Sequence, residues 1–139
     1  MFSLFKKKQK RVLDDPVFGR IEFDLIHGID IWSYIPKDGE SPMLCIDASS
    51  LGPSDGQREF YCGLKKDLPS RELECKAFIS QCETKPINLI EMAVYAINIG
   101  THAELASGQF EIELSDKDAN EIHRVVFKNW KPSGYEIDD

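Results

Sequence analysis

The apolar spacing of this 139-residue chain changes period twice, and that change limits its fold more than any other feature. Up to about Ala48, apolar residues recur at every second position. From Ser54 to Cys82 they recur at three and four. After Pro86 the two-residue period returns. Period two belongs to strands and period 3.6 to helices. Strands gathered on both sides of one helical block, without regular alternation, predict an α+β domain with a mainly antiparallel sheet.

Asp15-Pro16 reads as a breaker. Val17, Gly19, Ile21, Phe23 and Leu25 then alternate with Phe18, Arg20, Glu22 and Asp24, which predicts a strand over 17–25. His27-Gly28 is a turn, and residues 29–35 (IDIWSYI) complete a hairpin. Pro36-Lys37-Asp38-Gly39 is a second turn signal, and residues 43–48 (MLCIDA) form a third strand. Ser54 followed by Gln57 matches a capping box. Gln57, Phe60, Tyr61, Leu64 and Leu68 then share a helix face. Pro69 suits the first turn of a new helix better than the interior of an old one. A second helix is therefore expected over 70–82, burying Leu68, Cys75, Phe78, Ile79 and Cys82.

Residues 87–99 fit both periods, and their β-branched content favours a strand ending at Gly100. Residues 109–114, 121–130 and a short 133–137 supply the remaining strands. The expected architecture is one sheet of about six strands. Two helices inserted after the third strand pack on one face, leaving the other for solvent or a partner. Residues 1–13 read as a basic flexible tail and 14–139 as a single domain, with the oligomeric state left open.

The formal net charge of −7 is uneven. Residues 1–11 hold five bases and no acid, which leaves 12 bases against 24 acids in the rest. An acidic body repels phosphate backbones, so nucleic acid is not an expected partner, whereas a basic protein is. The tail reads as a solvated terminus. Its other reading is a weak membrane contact through Phe2, Leu4 and Phe5 with the neighbouring lysines at headgroups. No secretory signal, myristoylation glycine or C-terminal prenylation box occurs, and no apolar run approaches ~20 residues, so a cytoplasmic location is expected.

Cys45, Cys62, Cys75 and Cys82 lack metal-ligand spacing and read as reduced thiols packed as small hydrophobes. Asp116-Lys117-Asp118-Ala119-Asn120 opens like a calcium loop, but Glu121 and Phe127 stand where glycine and a bidentate glutamate are required. No phosphate-binding or dinucleotide motif occurs, and neither a cofactor nor a metal is expected. Gly52-Pro53-Ser54-Asp55-Gly56 matches the G-x-S-x-G pattern of a hydrolase nucleophile, with His102 and His123 downstream. Ser54 is already explained as a helix cap, and Asp55 would oppose a developing oxyanion. A small enzyme using Ser54 or a His–carboxylate pair is the rival class to a binding protein.

Trp32 and Tyr34 share one strand face. They either fill the core or join Glu111, Glu113 and Asp116 in a protein-binding surface. Trp130 and Tyr135 pose the same choice.

Asp15-Pro16-Val17-Phe18-Gly19-Arg20-Ile21, Gly52-Pro53-Ser54 with Gln57, Val126 to Pro132, and Ile137-Asp138 resemble small uncharacterised bacterial proteins that open with a D-P-x-F-G strand. The acidic α+β character is also similar to that of immunity proteins of toxin systems. That resemblance implies a non-enzymatic protein whose acidic surface neutralises a basic toxin or similar partner.

Overall fold

A computed structural model describes residues 11–37, 42–116 and 120–138. Most of the basic tail lies outside the described residues, as do Asp38, Gly39 and residues 117–119. Eight strands form one sheet in chain order. They are β1 (Val12–Asp15), β2 (Gly19–Ile26), β3 (Ile29–Tyr34), β4 (Met43–Asp47), β5 (Ala93–Ile99), β6 (Phe110–Ser115), β7 (Ile122–Lys128) and β8 (Lys131–Asp138). Helix α1 (Asp55–Cys82) joins β4 to β5, and a short α2 (His102–Ala106) joins β5 to β6. Every pairing is antiparallel except β4–β5, which is parallel. A parallel pair needs a long crossover, and α1 provides it.

The α+β class is as expected, but the details differ. The sheet is mixed and has eight strands rather than about six, and the long helix follows the fourth strand. The extra strand at the start is β1, which begins at Val12. Val12 and Leu13 therefore belong to the sheet and not to the tail, and the Asp15-Pro16 breaker is the hairpin turn into β2. The short last strand expected over 133–137 is present as β8, a longer, full-length partner of β7.

The two expected helices are one, with Pro69 inside it. Pro69 lacks the N–H that would reach the Lys65 carbonyl. Both residues are exposed, so solvent can serve that carbonyl. Leu64 before the proline and Cys75 and Ile79 after it are buried on the same sheet, and this packing carries the helix through. Leu68 and Phe78 are half-buried, whereas Cys82 is exposed. Residues 87–99 split into a single 3-10 turn at Leu89–Glu91 and β5.

Helix α1 covers one face of the sheet. There the paired residues Phe23, Trp32, Ile46, Ile99, Phe110 and Phe127 run across six strands in one row. Tyr34, Leu44, Ile97, Ile112, Val125 and Tyr135 form the next row. Most of these side chains are buried under α1. At about 25 cal/mol per Å² of apolar area, such rows dominate the stability of the domain.

Two polar groups anchor the start of α1. Gln57 is 2% exposed, and its Nε2 donates to the carbonyls of Asp47 (2.8 Å) and Gly100 (2.9 Å). It thus ties the helix to the ends of both parallel strands. Asp15 has a fully buried side chain. It accepts from the Val17 and Phe18 amides at 2.9 Å and pairs with Arg58 at 2.8 Å.

Candidate functional site

Alternation along the strands sends a second set of side chains to the uncovered face. Pairing aligns Ser33, Cys45, Asn98, Glu111 and Val126 in one row, and Met43, Ala96, Glu113, Arg124 and Glu136 in the next. Arg124 lies among carboxylates of Asp138 (2.6 Å), Glu136 (2.9 Å), Glu113 (3.1 Å) and Glu111 (3.6 Å). Its Nε is buried without a hydrogen-bond partner. A single guanidinium cannot neutralise that many carboxylates, so this part of the face keeps a negative potential.

Beside this cluster the face sinks into a cavity of about 550 Å³. Ile29, Ile31 and Val126 supply apolar wall, and Asp47, Asn98, Glu104 and Glu111 supply polar groups. Asn98 Nδ2 donates to Glu111 at 2.9 Å. Glu104 comes from α2, whose cap is a second capping box, with Thr101 N–H and Oγ1 both donating to its carboxylate at 3.0 Å. Among the described residues no cation pairs with Asp47, Glu104 or nearby Asp30. Burial, then the charges of Glu104 and Asp30, raise the pKa of Asp47. These acids repel one another, and Lys128, the one cation in the cavity lining, forms no ion pair with them. The adjoining β2–β3 hairpin tip exposes Leu25, Ile26 and Ile29.

The residues singled out by sequence divide into two groups. Glu111 and Glu113 are on the uncovered face, and Glu111 lines the cavity. Asp116 follows β6, half-buried, and accepts from the Asn120 amide at 3.2 Å. Trp32 and Tyr34 lie on the opposite face. Trp32 is 1% exposed and its indole N–H donates to the Ser49 carbonyl at 2.8 Å, while Tyr34 packs against the core. Their parity in β3 points them under α1, so no aromatic pair accompanies the acids.

Ser54 is the N-cap of α1, its hydroxyl accepting from the Gln57 amide at 3.2 Å. Asp47, Ser54 and His102 line one shallow hollow, but no hydrogen bond joins any two of their side chains. His123 is buried at 3% exposure. Its Nδ1 lies 2.7 Å from Tyr135 Oη, and its Nε2 lies 3.5 Å from Glu121. Tyr135 Oη also donates to Glu83 at 3.4 Å, and burial with the Glu83 charge keeps the phenol protonated. This network ties β7 and β8 to the end of α1. His27 is exposed in the β2–β3 turn.

All four cysteines are free thiols. Packing as a small hydrophobe describes Cys75, but Cys62 and Cys82 are exposed and Cys45 is half-buried. Among the described residues no three His, Cys, Asp or Glu side chains converge as metal ligands. No described helix is long and apolar enough to cross a membrane.

Sequence reasoning missed Asp47, Asn98 and Glu104. Glu104 had a usable signal, because Thr101-His102-Ala103-Glu104 repeats the capping-box pattern that marked Ser54. Asp47 shares the parity of Met43 and Cys45, and only the register with β5 shows that this parity faces a cavity. No protein-family model, curated protein or solved structure matches the chain.

Proposed function

We propose that the protein is a non-enzymatic binding module whose uncovered sheet face receives a basic protein, in the manner of an immunity protein neutralising a toxin. The observation that carries this reading is the acidic side of the cavity, where Asp47, Glu104 and Glu111 face a single lining cation, Lys128, and neither Asp47 nor Glu104 has an ion pair among the described residues. A lysine or arginine side chain would lay its methylene stem on Ile31 and Val126 and bring its charge to these acids. The exposed Leu25, Ile26 and Ile29 would supply the apolar part of the contact. Acidic potential over the face steers a basic partner into encounter, and occlusion follows from docking.

The test is affinity capture on the immobilised full-length chain and on a variant carrying Asp47→Asn, Glu104→Gln and Glu111→Gln, with elution along a salt gradient. A basic partner that leaves early in the gradient and is lost from the variant supports the reading. A partner held equally by both proteins and indifferent to salt removes it.

A further inference from the structure

We propose that the cavity beside Trp130, on the flank of α1 rather than on the uncovered sheet face, receives an arginine side chain of a partner protein. The cavity is about 250 Å³ and is lined by Glu59, Phe60, Gly63, Asp67, Arg71 and Trp130, together with the buried Leu64. Two of these positions go against local backbone preference. The β7–β8 turn consists of Asn129 and Trp130, both at positive φ (53° and 66°). Such a two-residue turn favours glycine in its second place. The β2–β3 turn of the same molecule obeys that rule with His27-Gly28. A bulky residue at positive φ is an outlier. Gly63 is the second departure. It sits in the interior of α1, where glycine weakens a helix, and a Cβ there would meet nothing within 4 Å.

The surroundings hold Trp130 in place without covering it. Its indole packs on Phe60 and Phe110 at centroid distances of 5.9 and 6.0 Å, and its carbonyl accepts from Arg71 at 3.0 Å. Gly108 lets the turn approach, since a Cβ there would stand 2.5 Å from the Trp130 nitrogen. Even so, Trp130 remains 45% exposed, whereas Trp32 is in the core. An indole kept against strain, half of it open over a hollow cleared by Gly63, is a surface prepared for contact.

Charge selects the occupant. Arg71 is engaged by Glu74 and the Trp130 carbonyl and lies over the rings of Phe110 and Phe127. Glu59 and Asp67 have no ion pair among the described residues. Two exposed carboxylates against one engaged guanidinium leave the lining net acidic, which favours a cation as occupant. A planar guanidinium both stacks on an indole and forks to carboxylates, which an ammonium cannot do.

The site does not rest on the reading of the sheet face, and its test separates the two. A short Gly/Ser peptide with a central arginine is titrated into the isotopically labelled full chain. The readout is the Trp130 indole N–H resonance, assigned by its absence from Trp130→Gly. A saturating shift is expected with arginine, about threefold weaker affinity with lysine, and none with citrulline. Glu59→Gln with Asp67→Asn should weaken binding about fivefold. Trp130→Gly should fold, because it restores the preferred turn, and should lose the peptide, which is read in that variant from the backbone amide resonances of Gly63 and Asp67. Gly63→Leu fills the cavity without touching the turn and should also lose it. Citrulline binding as well as arginine, or full affinity in the Gly63→Leu variant, overturns the proposal. So does loss of the peptide from the Asp47/Glu104/Glu111 variant, which would place it on the sheet face.

Discussion

Asp15 and Asp47 both end strands of the same sheet, yet their surroundings differ fully. Asp15 lies against α1, where two amides and the Arg58 guanidinium meet its oxygens. Asp47 faces the cavity, where its charged neighbours are Glu104 and Asp30. Burial works to raise the pKa of each. At Asp15 the Arg58 hydrogen bond, the two amides and the guanidinium charge outweigh burial, and the carboxyl titrates below its ordinary value. At Asp47 the neighbouring charges add to burial, and it titrates above. A carboxylate supplied with donors is part of the fold. One left among other carboxylates is a standing cost to the fold.

Replacing Asp15 breaks the contrast most severely. Asp15→Asn should cost about 3 kcal/mol, because it takes the buried partner from the part-buried Arg58 and leaves it only the exposed Asp55 at 2.9 Å, as read by chemical denaturation at neutral pH. The same cost should shrink in acid. A lowered folded pKa means that the stabilisation is complete above the ordinary carboxylate value of 3.8 and fades as pH falls through the folded pKa.

Gln57 is the neutral counterpart of Asp15, and Gln57→Ala should cost about 2 kcal/mol by leaving part-buried carbonyls of Asp47 and Gly100 unmet. Unlike the first loss, this one should not vary with pH. A parallel pH dependence of the two variants would show that Asp15 is not held as a charge.

On the uncovered face, Arg124→Gln should cost about 1 kcal/mol at low ionic strength and less as salt rises, since it removes the one cation from a cluster of acids. Thermal unfolding across a salt series measures it.

Asp47→Asn should do the reverse and stabilise the chain by about 0.5 kcal/mol at neutral pH. With a raised folded pKa, the penalty of Asp47 is present at neutral pH and is relieved as pH falls through that value. The gain of Asp47→Asn should therefore disappear on acidification at a higher pH than the loss of Asp15→Asn does. Destabilisation by Asp47→Asn at neutral pH would erase the distinction between the two aspartates.

Period alone was enough to read the class, the strands β2, β3, β4, β6 and β7, and the capping box at Ser54. It failed where tertiary packing overrode local preference. Pro69 looked like a boundary, but buried residues on both sides of it share one sheet. Val12 to Asp15 was too short to show alternation and is a strand only because β2 pairs with it. Glu111 and Glu113 were legible as outward acids from their alternation with Phe110, Ile112 and Leu114. Trp32 could not be assigned a side without knowing which face α1 covers. The cavity required Asp47, Asn98 and Glu104 to meet across a parallel register, and no single-strand pattern encodes that meeting.

The parallel β4–β5 seam also bears on how the chain assembles. All other pairings join strands linked by much shorter connections, so β1–β4 and β5–β8 are two meanders that can zip locally. The seam alone must bring together positions as far apart in sequence as Met43 and Ala96. Closing that span is entropically the most demanding pairing, and α1 shortens the effective loop by coiling its middle. The seam is thus the expected late step in folding. Gln57, bonded to both sides of it, is the latch that closes once two halves of a single sheet have met.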